Sequence, residues 1–309
     1  MKKIRDTIPG WAYGEVSIRK ALGDVLIGIP TFLAIITFFL ILGTVVTYGW
    51  GVFAYNFPSF LTSNPYLNMR AGGIAPMIFG TFALVTGAMV IAIPLGVLAS
   101  LYMSEYLTEG KLKSFINQIV NNLAGIPSIV FGLFGLSFFI GHLRIGADPV
   151  SGAGPNLVVG WLVLGFMALP IIVKNTNNAL ETVPEAFREA SLALGATKWQ
   201  TITTVTLPLA SPGISTGVIL GIGRVIGETA AILFTAAVAT QTNFYPKTVF
   251  DPVMALTFHV YYLAIHSPYS AETLHIQHGT ALTLMILVLL FSITAIYIRY
   301  RAQARRKGW

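Results

Sequence analysis

Two charged side chains lie inside one of the most apolar stretches of this chain. Arg224 and Glu228 are flanked by glycine, alanine, valine and isoleucine, and they stand four positions apart, a spacing at which side chains on a helix meet. In the hydrocarbon core of a bilayer each charge costs at least about 2.5–3.5 kcal/mol on insertion scales, so each calls for a partner or a polar surrounding. Two interpretations stay open: a self-neutralising pair that fixes packing, or a binding site for an anion.

In the second interpretation, the guanidinium of Arg224 offers a planar fork of hydrogen-bond donors to an oxyanion. The carboxylate of Glu228 repels a fully ionised anion, but it accepts a hydrogen bond from an anion that still carries a proton. The pair would therefore hold hydrogen phosphate better than sulfate, whose oxygens would face the carboxylate with no proton between them.

The residues around the pair follow helical spacing. Small or polar residues recur at steps of four, three, four, three and four, which places them on one stripe of a helix. The members of the stripe are Gly217, Gly221, Arg224, Glu228, Ala231 and Thr235. Small residues let a second helix approach closely, so the stripe predicts an interface between subunits that opens onto a polar cavity, with Gly217 and Gly221 as its packing residues.

The composition places this helix in a membrane. Of the 309 residues, 55% are hydrophobic and 10% are charged, whereas soluble domains carry about 25% charged residues. A bilayer span needs about 20 mostly apolar residues. Six segments qualify, at about 25–54, 74–103, 115–141, 156–174, 212–239 and 279–298. The predicted fold is an all-α integral membrane protein with six transmembrane helices in a single domain, 1–309.

The basic residues indicate how the spans are oriented. With the N-terminus inside, the cytoplasmic segments hold fifteen of the nineteen lysines and arginines. They are Lys2, Lys3, Arg5, Arg19, Lys20, Lys111, Lys113, Lys174, Arg188, Lys198, Arg299, Arg301, Arg305, Arg306 and Lys307. This asymmetry predicts cytoplasmic N- and C-termini, a cytoplasmic loop at 175–211 and an extracytoplasmic loop at 240–278. It accounts for the net charge of +7 without nucleic acid, and the basic tail is suited to acidic membrane lipid.

Several chemistries are absent from the sequence. The chain has no cysteine, no G-x-x-x-x-G-K-[ST] phosphate-binding loop, no H-E-x-x-H and no G-x-S-x-G, so we expect no ATP site and no catalysis in it. Four histidines precede the last span without carboxylates in register, namely His259, His266, His275 and His278. We therefore expect no metal site there and no cofactor bound by this chain.

A second candidate site is the loop at 184–213. Phe187, Ala190 and Leu194 fall at i, i+3 and i+7, which predicts a short helix with a narrow apolar face. Gly195 is placed to end that helix in a left-handed conformation.

The flanks of this helix complete the prediction. Thr182 and Glu185 have the spacing of a capping box at its start, and a second short helix is predicted at about 197–206. A small helix pair of this kind is suited to insertion into a groove on another protein, and the alternative is a helix lying on the membrane surface.

The same loop carries a resemblance. Glu189-Ala190-Ser191, Gly195 and Val205-x-Leu207-Pro208 keep the spacing E-A-A-x3-G-x9-I-x-L-P, with Ser191 and Val205 as mild departures. This pattern resembles the EAA loop in the membrane subunits of binding-protein-dependent ABC importers. The resemblance implies a type I ABC importer permease fold. It also implies an ATPase contact formed by the coupling residues Glu189, Ala190 and Gly195, together with Phe187 and Leu194.

The charged stretch carries another resemblance. Gly223-Arg224-x-x-Gly227-Glu228-Thr229-Ala230, followed by Ile232-Leu233-Phe234-Thr235, resembles the G-R-x-x-G-E-T-A…L-F-T segment of permeases from phosphate-specific (Pst) ABC importers. It is more similar to the A-type subunit, PstA, than to the C-type paralogue. The resemblance implies that Arg224 and Glu228 lie in the phosphate path.

The resemblance also implies an assembly in the cell inner membrane. This chain would form a heterodimer with a C-type phosphate permease and would work with an ATPase dimer that binds ATP and Mg. An extracytoplasmic phosphate-binding protein would deliver the ion. Two alternatives stay open: an ABC permease for another oxyanion, and a secondary transporter or channel that needs no ATPase.

Overall fold

The computed structural model describes residues 10–67, 69–108, 110–147, 152–239, 243–269 and 272–304. Six of the basic residues used for the topology prediction lie outside these ranges, namely Lys2, Lys3, Arg5, Arg305, Arg306 and Lys307.

Over the described ranges the regular secondary structure is helical apart from one short hairpin. The helices are α1 (Gly10–Asn56), α2 (Ser59–Thr62), α3 (Ala75–Leu101), α4 (Lys111–Gly125), α5 (Ser128–Phe134), α6 (Leu157–Glu181), α7 (Glu185–Ala193), α8 (Lys198–Thr201), α9 (Leu207–Ile226), α10 (Leu256–Ile265) and α11 (Leu274–Ala304). Three π-helical turns, Tyr102–Tyr106, Gly135–His142 and Ile202–Thr206, continue α3, α5 and α8. Strands β1 (Pro65–Tyr66) and β2 (Ala71–Gly72) pair antiparallel.

The predicted all-α membrane fold is confirmed. Within the described ranges, five helical segments are long and apolar enough to cross a membrane, namely Ala21–Asn56, Ala75–Tyr106, Leu157–Glu181, Lys198–Ile226 and Leu274–Arg301. A sixth crossing results if α4 and the helix from Ser128 to His142 count as one broken span. The cytoplasmic location of the two termini stays a prediction.

Within the span predicted at 115–141, the sequence Gly125-Ile126-Pro127 predicts a kink, because proline removes a helical hydrogen bond, but the helix is broken far more sharply than a kink. Its two halves, Lys111–Gly125 and Ser128–His142, meet at 101°. Ile126 (φ −71°, ψ 129°) and Pro127 (φ −58°, ψ 139°) are both non-helical. The residue before a proline is sterically pushed out of the helical region, so the chain turns here instead of bending gradually.

The span predicted at 212–239 begins earlier and ends earlier. Helical structure runs without a break from Lys198 to Ile226, past Pro208, where the sequence predicted an end. In the π-helical turn before Pro208, the Leu207 N–H bonds to the Ile202 carbonyl, five positions back. This wider turn accommodates a proline that has no N–H to donate.

The core lies where α3, α6 and α9 pack together. Gly96 of α3 faces Ile172 of α6, and a Cβ on the glycine would lie 2.7 Å from Ile172 Cγ2. Close packing of this kind is typical of membrane helices, which gain van der Waals contact where small residues bring them together. Along α1, by contrast, the described apolar side chains of the first half are mostly exposed, and the helix packs on α11 near its C-terminal end, where Gly49 faces Leu282.

Candidate functional site

The charged pair does not share one helix. Helix α9 ends at Ile226, so Arg224 lies in its last turn and Glu228 lies beyond the end. Within the described residues the structure gives no ion pair between them, and the predicted i, i+4 pairing is wrong. The Arg224 side chain is exposed, whereas Glu228 is half-buried and accepts a hydrogen bond at Oε1 from the Ala231 N–H at 3.3 Å. A carboxylate in this position caps a new turn of backbone.

Residues 227–239, which the sequence placed in the span, form a buried irregular segment. The Leu233 N–H bonds to the Thr229 carbonyl and the Ala236 N–H to the Ile232 carbonyl, each at 3.1 Å, and the chain does not extend these turns into a regular helix. The Thr257 hydroxyl donates to the Glu228 carbonyl at 2.8 Å. Asn156 N–H donates to the Thr235 carbonyl at 2.9 Å. Contacts from two distant parts of the chain therefore satisfy backbone groups that a continuous helix would have paired internally.

Two glycines of the α5 region allow this segment to fit. A Cβ on Gly132 would lie 2.9 Å from the Ala231 carbonyl oxygen, and a Cβ on Gly135 would lie 2.6 Å from Thr235 Cγ2. Both positions require a residue without a side chain. The helix that follows the sharp break at Pro127 thus supports the backbone next to the charged pair.

The predicted subunit interface is wrong for the glycines of α9. Gly217 and Gly221 are buried within this chain against α6: a Cβ on Gly217 would lie 2.7 Å from Asn175 Cβ, and one on Gly221 would lie 3.2 Å from Ile172 Cγ1. Ala231 and Thr235 are fully buried as well. The small-residue stripe packs helices of one subunit together, and Arg224 points elsewhere.

The geometry leaves Arg224 as an exposed cation beside a break in a membrane helix. Its guanidinium makes no hydrogen bond or ion pair to any other described residue, so its donors are available to a ligand. In transporters, discontinuous helices concentrate polar backbone and charge at membrane depth, where ions bind. What this arrangement can do is hold an oxyanion through the guanidinium fork.

The second candidate site, the helix pair at 184–213, forms as predicted in outline. Helix α7 ends at Ala193, and Gly195 has a left-handed backbone with φ +86°. Phe187 and Leu194 are exposed, Leu194 to 90%. Glu189, Ala190 and Gly195 are exposed too. All five residues predicted to contact the ATPase are therefore accessible to a partner.

The predicted capping box at Thr182 is wrong. The Thr182 hydroxyl donates to the Ala179 carbonyl at 2.7 Å, and Pro184 takes the N-cap position of α7 without a side-chain bond. A capping box does form, one helix later, where Thr197 caps α8 with Gln200 as its reciprocal partner.

The inner side of the helix pair holds a contact that sequence reasoning missed. Arg188 of α7 donates through Nη2 to the Leu180 carbonyl at 2.8 Å and through Nη1 to the Val183 carbonyl at 3.1 Å, which attaches α7 to the C-terminal end of α6. Its Nε lies 3.3 Å from Glu105 Oε1, and the two side chains are only 15% and 10% exposed. This is an ion pair between the end of α3 and α7.

Further contacts join α8 to the end of α3 and to α7. Lys198 Nζ lies 4.8 Å from the ring centroid of Tyr106, next to Glu105, which is a cation–π contact. Ser191 and Thr201 exchange a hydroxyl hydrogen bond of 2.9 Å between α7 and α8. The only sequence signal was the charge itself: Glu105 and Arg188 are far apart in the chain, and no spacing rule connects them.

Three of the four histidines named above make separate contacts. His259 is buried with Nδ1 3.3 Å from the Thr280 hydroxyl, and His278 Nδ1 lies 2.7 Å from the Leu274 carbonyl. His266 stacks on Tyr262. Among the described residues, no group of three or more histidines or carboxylates has the geometry to hold a metal ion.

Comparison with known proteins places this architecture in a family. The sequence model described as "Binding-protein-dependent transport system inner membrane component" matches residues 92–307. The chain is 36% identical to the probable ABC transporter permease protein YqgI of Bacillus subtilis, over 76% of this chain and 81% of that protein. It is also 36% identical to the phosphate transport system permease protein PstA 1 of Mycobacterium tuberculosis, over 77% of this chain and 73% of that protein.

Solved structures of ABC transporters share the fold. A chain of a bacterial alginate ABC transporter, in complex with an alginate-bound periplasmic protein, aligns with a TM-score of 0.63 at 16% identity, covering 91% of this chain and 96% of that one. A chain of the MetNI methionine transporter in an inward-facing conformation aligns with a TM-score of 0.55 at 20% identity, covering 74% and 97%. The protein belongs to the binding-protein-dependent transport system inner membrane components, the permease subunits of ABC importers.

Proposed function

We propose that this permease is the A-type subunit of an ATP-driven importer of inorganic phosphate. The observation that carries the proposal is Arg224, an exposed guanidinium at the end of a broken membrane helix, within the G-R-x-x-G-E-T-A stretch that resembles phosphate permeases. The 36% identity to a PstA protein supports the same substrate.

In this proposal the chain lies in the cell inner membrane and pairs with a C-type phosphate permease. An extracytoplasmic phosphate-binding protein delivers the ion, and an ATPase dimer binds ATP and Mg and contacts the α7–α8 helix pair. The chain itself binds no cofactor and hydrolyses nothing. Its own contribution is the path and the coupling surface.

Arg224 is the residue that we expect to contact the ion, because its guanidinium fork matches the oxygens of phosphate. Glu228 lies at the same level, and its carboxylate holds the backbone at the start of the 227–239 segment. That Glu228 also accepts a hydrogen bond from hydrogen phosphate stays a prediction. Whether Glu228 only caps the backbone or also binds the ion, the backbone conformation of the 227–239 segment depends on its carboxylate.

The test is uptake of labelled phosphate at low phosphate concentration, in cells that lack the chromosomal copy of this chain and carry the partner proteins. The intact chain should restore uptake, and Arg224→Gln should reduce it at least about tenfold, the loss expected for a charge-assisted contact of about 1.5–3 kcal/mol. Arg144→Gln is the matched control, because Arg144 is exposed and far from α9 in sequence. Membrane levels and co-purification of the ATPase show that each variant assembles.

Full uptake by an assembled Arg224→Gln complex would remove this residue from the path. No uptake by the intact chain, with its partners present, would reject phosphate as the substrate. Competition by sulfate, molybdate or arsenate would then identify an importer of another oxyanion. Transport without an ATPase, the other alternative, does not fit the family to which the chain belongs.

A further inference from the structure

We propose that Arg188 and Glu105 form a joint that fixes the α7–α8 helix pair to the ends of α3 and α6, so that all of them move as one body when the transporter cycles. The inference rests on the ATPase contact that we propose for the helix pair. It does not depend on which ion is transported. It assigns a positioning role to two residues that lie outside the surface open to the ATPase.

The first step is the position of Arg188. Its one guanidinium reaches two carbonyls at the end of α6, at Leu180 and Val183, and also the carboxylate of Glu105. The planar guanidinium donates hydrogen bonds to the two carbonyls, which fix its orientation, and its Nε lies 3.3 Å from Glu105 Oε1 as an ion pair without a hydrogen bond. The side chain thus ties α7 to two different membrane helices at once.

The second step is the burial of the pair. Arg188 and Glu105 are 15% and 10% exposed, so water and salt screen their attraction much less than that of a surface pair. Removing one partner leaves the other charge buried and uncompensated, whereas removing both charges does not. The nearby acid Glu185 lies 3.8 Å from Arg188 but is 77% exposed, so it offers weaker compensation.

The third step is that the second arm of the helix pair is held to the same place. Lys198 of α8 lies over the ring of Tyr106, and Tyr106 stacks on Tyr102 with centroids 6.2 Å apart. The π-helical turn Tyr102–Tyr106 therefore contacts both α7 and α8. Beneath it, a buried apolar cluster includes Leu101, Leu180, Val183 and Ile202, from α3, α6 and the turn after α8. A push on either arm would reach α3 by direct contact.

The experiment measures whether the helix pair stays fixed to α3 during the cycle. Because the chain contains no cysteine, Leu98→Cys in α3 and Leu192→Cys in α7 can carry spin labels; both native side chains are exposed, and neither is a residue that we assign to the ATPase contact. Pulsed electron paramagnetic resonance then gives the distribution of distances between the two spin labels in the full transporter in lipid nanodiscs, with and without ATP. We expect one narrow distribution that nucleotide leaves unchanged, although the complex as a whole changes conformation.

In Glu105→Gln the same distribution should broaden or split, and transport per ATP hydrolysed should fall several-fold while ATP hydrolysis continues. Glu181→Gln is the matched control, since Glu181 is a nearby exposed carboxylate at the end of α6, and it should behave as the intact chain. A broadened distribution with uncoupled hydrolysis distinguishes a joint from a contact that only aids folding.

If the single variant fails to assemble, Glu105→Gln combined with Arg188→Gln carries the test, because it leaves no unpaired buried charge. A narrow, intact-like distribution in the assembled double variant would overturn the inference, since the apolar cluster alone would then hold the helix pair. Failure of phosphate uptake in the intact chain would reject the proposed substrate and leave the distance measurement unaffected.

Discussion

Arg224 and Glu228, on either side of the end of α9, differ in what their side chains contact. Arg224 presents its guanidinium outward, and Glu228 turns back to its own backbone at Ala231. The sequence treated them as one pair because a regular helix would have placed them on one face. The structure separates them by ending the helix at Ile226, between the two residues.

This difference leads to a prediction for Glu228. Glu228→Gln keeps a side-chain oxygen that can accept from the Ala231 N–H, so assembly and uptake should stay close to those of the intact chain. Glu228→Ala loses the cap and should lower the stability of the complex by about 1 kcal/mol. Thermal unfolding of the purified complex and phosphate uptake measure the two effects. Normal assembly of Glu228→Gln without uptake would instead show that the negative charge itself is needed, as the hydrogen-phosphate hypothesis requires.

The ion pair between Glu105 and Arg188 could not be predicted from the sequence for a physical reason. Arg188 Nε lies 3.3 Å from Glu105 Oε1, but the two residues belong to different helices. Periodicity identifies neighbours on one helix, and motif spacing identifies neighbours in one loop. Neither identifies a contact that exists only after α3 and α6 have packed.

Among the helices, the small-residue spacing of α9 correctly predicted close helix packing, but the helix that packs there was predicted wrongly as one of another subunit. The spacing of Gly217 and Gly221 predicted close approach of a helix, and α6 of the same chain fills that position. A pattern on one helix carries no information about which helix it faces.

The end of α9 at Ile226 could not be predicted from the sequence either. The residues after Glu228 are mostly alanine, isoleucine and leucine, which are compatible with a continuing helix. In the structure, hydrogen bonds from the Asn156 N–H and the Thr257 hydroxyl take the place of helical hydrogen bonds in this segment.

The α6–α9 contact gives a prediction with an internal control. Gly217→Ala places a methyl group 2.7 Å from Asn175 Cβ, so the helices must separate slightly, and stability should fall by about 1–3 kcal/mol. Gly223→Ala has nothing within 4 Å, so alanine there should be neutral or stabilising through its better helix propensity. Thermal unfolding of the assembled complex compares the two. Equal loss in both variants would contradict the packing described for α9.

Across the whole molecule, composition predicted more of the fold than any motif did. The apolar segments identified the long helices, because length and hydropathy are properties of a span by itself, although the fifth span, predicted at 212–239, lies at 198–226. The 101° angle of the break at Pro127 and the irregular segment at 227–239 were not foreseen, because both are shaped by the helices around them. The orientation of the molecule rests only on the positive-inside asymmetry, which operates during insertion and leaves no mark in the fold.

The orientation can be tested with single cysteines in this cysteine-free chain. Leu194, beside α7, is 90% exposed, and Tyr55, at the C-terminal end of α1, is 89% exposed. If the N-terminus is cytoplasmic, α1 carries Tyr55 to the outer surface, whereas the α7–α8 helix pair stays inside, where an ATPase can reach it. A membrane-impermeant maleimide should therefore label Tyr55→Cys in intact cells and Leu194→Cys only in inverted vesicles, which are prepared from cells without the ATPase so that Leu194 is not covered. The reverse pattern would overturn the predicted topology. Labelling of both cysteines from one side would mean that α1 does not cross the membrane, or that the chain crosses between Tyr55 and Leu194 a different number of times from that predicted.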